Sequence, residues 1–187
     1  MAKITYAALT SLDGFIADED DNFDWAEPAE DVHRFVNEME KSIGIVLYGR
    51  LTYEVMKVWD DIASKVDNPD FINEYASIWS RTKKIVFSNT IHNIDNENVE
   101  LKHVIDIEDI KKLKSIEKRD IGIGGSTIAS QLISENVIDE LYQFINPVII
   151  GKGKKWFNTN VKIDLDLIEE KEFSNGIVMV HYKIKKS

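Results

Sequence analysis

Three short segments of this 187-residue chain hold the residue types that bind a phosphorylated ligand. Gly122-Ile123-Gly124-Gly125-Ser126-Thr127 closes a short apolar run, and adjacent glycines there let a phosphate approach the main chain closely. A helix opening behind them adds free N–H groups and a positive dipole end, with Ser126 or Thr127 capping it or donating to the phosphate. The spacing departs from the dinucleotide fingerprint G-x-G-x-x-G, because position 127 is Thr and no acidic residue follows at the distance of a ribose partner. A Rossmann domain is therefore disfavoured, and phosphate binding is not. In the second segment, Gly49-Arg50-Leu51-Thr52-Tyr53-Glu54, an arginine at a helix N-terminus opposes the dipole. Arg50 thus either faces an anion or pairs with an acidic neighbour. The third segment, Lys84 to Thr90, places the small donors Ser88, Asn89 and Thr90 after an apolar run.

Other chemistries are excluded by what the chain lacks. It has no cysteine, so disulfides, thiolate catalysis and cysteine-ligated metals are ruled out. His33, His92, His103 and His181 fit no metal-ligand spacing. A net charge of −10 argues against a general nucleic-acid binder, which needs a basic face to replace phosphate counterions. No apolar run approaches the roughly 20 residues that cross a bilayer. The first eleven residues lack the features of a signal peptide, so the expected location is cytoplasmic, with no membrane partner.

The elements that position these segments alternate between strand and helix. Ile4–Ser11 reads as a buried strand ending at the turn pair Asp13-Gly14. After the acidic loop 18–24, a helix is expected from Pro28, with Val32, Phe35, Val36 and Met39 on one face. Ile43–Tyr48 follows as a central strand, then a helical stripe of Leu51, Val55, Met56 and Trp59, and a second helix over Phe71–Trp79. Strands over Lys84–Phe87 and Val99–Ile105, a helix marked by Ile107, Ile110 and Leu113, and a strand over Asp120–Ile123 continue the alternation. A helix from Ser126 to Glu135 and a β-type run over Glu140–Ile150, interrupted at Asn146-Pro147, come next. Two β segments around Asn175-Gly176 predict a terminal hairpin. The pattern predicts a single α/β domain with a mostly parallel sheet and an antiparallel edge, its ligands bound at the C-terminal strand ends.

The three segments, in this order, resemble the dihydrofolate-reductase-like fold. Within it the chain is most similar to the reductase domain of the bifunctional riboflavin-biosynthesis deaminase-reductase and its stand-alone relatives. Thr10-Ser11-Leu12-Asp13-Gly14-Phe15-Ile16-Ala17, Asp24-Trp25 and Asn146-Pro147-Val148-Ile149-Ile150-Gly151-Lys152-Gly153 extend the likeness nearly end to end. The resemblance implies NADPH as cofactor, with Gly49, Arg50 and Thr52 on its phosphates and Ser88, Asn89 and Thr90 around the adenosine. Gly124, Gly125, Ser126, Thr127 and Ile128 would hold the pyrophosphate. NADPH rather than NADH depends on Arg50, with Lys83 or Lys84, meeting the 2′-phosphate.

On the substrate side the resemblance places Ala8, Asp13, Gly14 and Ile16 around the nicotinamide, with Asp13 a candidate catalytic acid, and Trp25 over the site. Gly151 and Lys152, with Lys154 and Lys155, are candidates for a substrate phosphate. Glu30 and Asp31 stand where folate reductases carry an acid in the first helix, although acids in a first helical turn are also favoured by the dipole alone. The implied reaction is hydride transfer to a pyrimidine- or pterin-like ring, most like that of 5-amino-6-(5-phosphoribosylamino)uracil reductase. Dihydrofolate reduction and non-catalytic dinucleotide binding are the alternatives. A deaminase centre is absent, since no His-x-Glu with a later Cys-x-x-Cys occurs. The family likeness also implies a homodimer, with the terminal β segments as its surface.

Overall fold

In the computed structural model, which describes residues 1–65 and 67–186, the strands and helices alternate along the chain as the periodicity predicts. The elements of the first half are β1 (Ile4–Thr10), β2 (Phe15–Ala17), α1 (Glu30–Glu40), β3 (Ile43–Gly49), α2 (Arg50–Met56), α3 (Val58–Ile62), α4 (Asp70–Arg81) and β4 (Lys83–Phe87). The second half comprises β5 (Val99–Lys102), α5 (Ile107–Ile116), β6 (Asp120–Gly124), α6 (Ser126–Ser134), β7 (Glu140–Ile145), β8 (Lys154–Lys155), β9 (Leu165–Glu172) and β10 (Val178–Ile184).

Eight of the strands form one sheet in the order β5-β4-β3-β6-β1-β7-β10-β9. All neighbours from β5 to β7 are parallel, and β10 pairs antiparallel with both β7 and β9. The parallel strands are continuously apolar because both faces of the sheet are covered. Alternate residues of β3 serve opposite sides: Ile45 and Leu47 pack with Ile121, Ile128 and Leu132, whereas Val46 and Tyr48 pack with Tyr53, Trp79 and Val86. The helices that follow the adjacent strands β3 and β6 therefore lie on opposite faces, and a crevice opens at those strand ends.

The terminal hairpin turns at Asn175-Gly176, where Gly176 has φ +82° and the Asn175 side chain accepts from the Ile177 amide at 3.3 Å. Several boundaries differ from the sequence reading. The Leu51–Trp59 stripe is not one helix: α2 stops at Met56, α3 starts at Val58, and Leu51 and Val55 face solvent while Tyr53 is buried. Tertiary packing of the Tyr53 ring against Tyr48 and Trp79, not apolar spacing, decides which face turns inward. The strand expected to reach Ile105 ends at Lys102, the Glu140 run ends at Ile145 before Asn146-Pro147, and the first helix begins two residues beyond Pro28. Among the described residues, no helix is long and apolar enough to cross a membrane.

Candidate functional site

The site grows from the turns after β3 and β6. Gly125 is the N-cap of α6, at φ +115° and ψ 138°, and no side chain caps the helix. Ser126 and Thr127, expected as caps, do not serve: Ser126 is buried and Thr127 points outward. The N–H groups of the first turn thus have no side-chain cap, at the positive end of the helix. A Cβ added at Gly125 would stand 2.8 Å from Thr52 Oγ1 and 4.0 Å from the Gly49 nitrogen, which brings the two turns together. A Cβ at Gly124 would fall 2.1 Å from the Tyr48 ring, so only glycine fits beneath that tyrosine.

A cavity of about 300 Å³ extends from this junction along β1, β3 and β6, beneath α1, α2 and α4. It includes the expected residues Ala8, Ile16, Thr52, Gly124 and Gly125. Its walls are mainly apolar, with Val36, Met39, Met56 and Phe144, and its polar side chains include Glu40, Tyr48 and Tyr75.

A second cavity of about 520 Å³ holds Arg50, Ser88, Asn89 and Thr90, together with Phe87 and His103. Ser88 Oγ accepts from the amides of Thr90 at 3.1 Å and Ile91 at 3.0 Å, which tightens the turn. The Ser88 carbonyl can only accept, so the 2.7 Å contact to His103 Nδ1 places a proton on that nitrogen. Arg50 meets Glu54 at 2.8 Å, one helical turn on, and also lines this cavity. Both readings of that arginine therefore coexist, because an exposed i,i+4 pair is weak enough to yield to a ligand. The first turn of α2 links the two cavities, with Thr52 on one and Arg50 on the other.

Other sequence candidates lie elsewhere. Asp13 accepts from the amides of Ile150 at 3.2 Å and Gly151 at 2.8 Å, fastening the Ser11–Gly14 turn to the later loop. The Ser11 hydroxyl and these amides hold its carboxyl below the usual range. Glu30 pairs with Arg34 at 2.8 Å on the surface. Asp31 accepts from the Ser174 amide at 2.8 Å, tying α1 to the terminal hairpin, and that bond lowers its pKa. None of the three acids lines the 300 Å³ cavity, nor do Gly14, Trp25, Gly151 or Lys152. The Trp25 indole N–H is buried without a partner, Gly14 shapes its turn at φ +85°, and Lys152 reaches Glu19 at 3.9 Å.

Ile128 is fully within the core and packs under the glycine turns without facing either cavity. Lys83 and Lys84 begin β4, at the opposite end of the strand from Ser88, and so cannot help Arg50 with a 2′-phosphate. The Lys84 ammonium is buried against the carbonyls of Trp79 and Thr82.

Sequence reasoning did not single out Glu40, Tyr48, Tyr75 or His103. The signal for Glu40 is present, since Val32, Val36 and Glu40 recur every four residues and set an acid on the inward stripe of α1. Tyr75 comes from a different helix, and only the packing of α4 against α1 and β3 brings it there. Among the described residues no cluster of three His, Asp or Glu side chains is placed to hold a metal.

Comparison with known proteins agrees with this fold. The chain is 31% identical over 184 residues to YyaP, an uncharacterized protein of Bacillus subtilis strain 168, covering 96% of this chain and 94% of that one. The fold superposes on a Thermotoga maritima diaminohydroxyphosphoribosylaminopyrimidine deaminase/5-amino-6-(5-phosphoribosylamino)uracil reductase with TM-score 0.68 and 19% identity, over 98% of this chain and 57% of that chain. Dihydrofolate reductase of Enterococcus faecalis, solved with NADP(H), matches with TM-score 0.60 and 17% identity, over 98% and 97% of the two chains. Residues 2–179 match the family defined by the RibD C-terminal domain, and the chain belongs to that family.

Proposed function

We propose that the protein is a reductase that binds NADPH across the glycine turns and reduces a pyrimidine- or pterin-like ring held in the 300 Å³ cavity. The observation that carries this reading is the junction of Gly49, Thr52 and Gly125, where uncapped amides meet the mouth of an apolar cavity. The names of the Thermotoga and Enterococcus neighbours support it, one a uracil reductase and the other bound to NADP(H).

The residues fit such a cofactor. The α6 amides suit a pyrophosphate, and Arg50 with Ser88, Asn89 and Thr90 suits the adenosine end. The reduced dinucleotide supplies a hydride when bound. Ala8, Ile16 and Gly124 border the space where its ring would meet the substrate, and Val36, Met39 and Phe144 exclude water from that space. No protein nucleophile is needed, which accords with the absence of cysteine.

Titration with NADPH and with NADH, followed by nicotinamide fluorescence, tests the reading. NADPH is expected to bind more tightly, and Arg50→Ala to narrow the difference by about tenfold, the worth of one charged hydrogen bond. Absence of any fluorescence change at millimolar NADPH refutes it. A homodimer belongs to the same proposal: β9 is an edge strand exposed along its whole length, and Leu165, Leu167 and Ile168 face solvent on it. Sedimentation at micromolar concentration checks the assembly.

A further inference from the structure

Glu40 is the feature of the cavity that the reading above does not use. It ends α1, is half-buried, and lines the cavity together with Thr5 and Ile43, which stand at the starts of β1 and β3. The glycine turns are at the other end, about 13 Å away along four residues of strand. Among the described residues no Lys, Arg or His side chain lines this cavity, and no hydrogen bond or ion pair engages the Glu40 carboxyl.

The charged and titratable groups packed around Glu40 leave it unmatched. Tyr48 from β3 and Tyr75 from α4 share its surroundings, and burial raises both hydroxyl pKa values, so they remain neutral. Lys84 from β4 lies across a small space behind it, but its ammonium is held by backbone carbonyls and stands 4.2 Å from the centre of the Trp79 ring. Lys41, the next residue, is taken by Glu38 and Glu74. Burial alone pushes the Glu40 carboxyl up to about 7. An unpaired carboxyl in an apolar compartment is costly to ionise, and a ligand that brings the missing positive or N–H partner removes that cost.

We propose that this cavity selects an unphosphorylated heterocycle that is cationic or offers adjacent N–H groups to Glu40, and that it rejects rings bearing phosphate or carboxylate. The inference rests on the reading of the cavity as the substrate compartment. A phosphate would find no cation inside. The lysines expected to meet a substrate phosphate do not supply one: Lys154 and Lys155 belong to a separate groove with Ser126 and Thr127, and Lys154 lies 3.5 Å from Asp21. That groove and the cavity share no lining residue. The substrate class therefore differs from that of a phosphoribosyl-pyrimidine reductase, although the dinucleotide turns are of the same kind.

The test uses three probes: 2-aminopyridine, whose protonated form presents adjacent N–H groups, orotate as a planar anion, and uridine 5′-monophosphate as a phosphorylated pyrimidine. Binding is measured by calorimetry at pH 7 on the whole protein, with and without NADPH. The wild type is expected to bind 2-aminopyridine at least about tenfold more tightly than either anion, and Glu40→Gln to lose about tenfold of that affinity, as one charged hydrogen bond predicts. Equal binding of orotate or uridine 5′-monophosphate, full retention of 2-aminopyridine affinity in Glu40→Gln, or no binding of 2-aminopyridine to the wild type overturns the inference. If Glu40→Gln does not fold, the ranking of the probes on the wild type still decides. NADPH fluorescence on the same samples separates the two claims, since a missing cofactor signal refutes the reductase reading and leaves the probe ranking intact.

Discussion

Replacing Gly125 by alanine perturbs both functions of the turn, and the structure sets the size of each effect. At φ +115° and ψ 138° the backbone lies in a region that side-chain-bearing residues rarely adopt, and holding alanine there costs about 1–3 kcal/mol. The new methyl also arrives 2.8 Å from Thr52 Oγ1, which must rotate away. A loss of about 2 kcal/mol in a chain of this size lowers Tm by about 4–8 °C. The methyl projects toward Thr52, where the two turns meet and where the proposed pyrophosphate approaches the α6 amides. Losing one charged hydrogen bond there weakens NADPH by about 10- to 100-fold. Thermal unfolding and fluorescence titration of the same variant measure the two effects separately. Thr52→Ala in the Gly125→Ala background removes the steric contact but not the backbone strain, so it should recover only part of the lost Tm. A Gly125→Ala protein with wild-type Tm and wild-type NADPH affinity would refute the assignment of both strain and cradle to this residue.

Gly124→Ala should be destabilised by about 1–3 kcal/mol through displacement of the Tyr48 ring, 2.1 Å from the added carbon, and chemical denaturation reads the loss. Burial brings the Lys84 ammonium down to about 8 from its ordinary 10.5, so the unfolded chain binds that proton more tightly and stability gains as pH rises between those values. Lys84→Met should shrink the gain, as denaturant midpoints at pH 7 and pH 10 will show. Against its burial, the Lys114 ammonium at 2.6 Å and the Ile4 amide at 2.8 Å hold the Asp139 carboxyl below its usual range. Its contribution is present above the unfolded pKa and lost as pH falls through the folded one. Asp139→Asn should therefore cost about 3 kcal/mol at pH 7 and flatten the acid side of the stability profile, measured by urea unfolding at several pH values.

Much of the sheet could be read from local signals. Ile43–Gly49 is apolar along its length because a central parallel strand is buried on both faces, and Asn175-Gly176 supplies the positive φ that its hairpin needs. The glycine turns were legible in part: a close backbone approach leaves a residue-type signature, but the uncapped start of α6 does not, since Ser126 and Thr127 read as caps. Other features were not. Leu51 and Val55 have helical spacing yet face solvent, since the aromatic cluster of Tyr48, Tyr53 and Trp79 fixes the orientation of α2. The Lys84 ammonium carries no sequence mark of burial, because its partners are backbone carbonyls on the preceding helix end.

The acids divide along the same line. By itself the sequence established the α/β alternation, the order of the three turns after β3, β4 and β6 and the absence of cysteine chemistry, because each depends on residue type or local spacing. Only the tertiary structure decided that the inward stripe of α1, with Glu40 on it, borders a cavity, and that Glu30 and Asp31 do not. Glu30 and Asp31 stand at the start of α1 and are satisfied by Arg34 and the terminal hairpin, while Glu40, one residue from the end of the same apolar stripe, turns inward. Glu40 carries a local mark in its four-residue spacing from Val36, but the cavity it meets is assembled from β1, β3, β6 and α4, and the Ser174 amide that satisfies Asp31 lies 143 positions on; no local pattern encodes that packing.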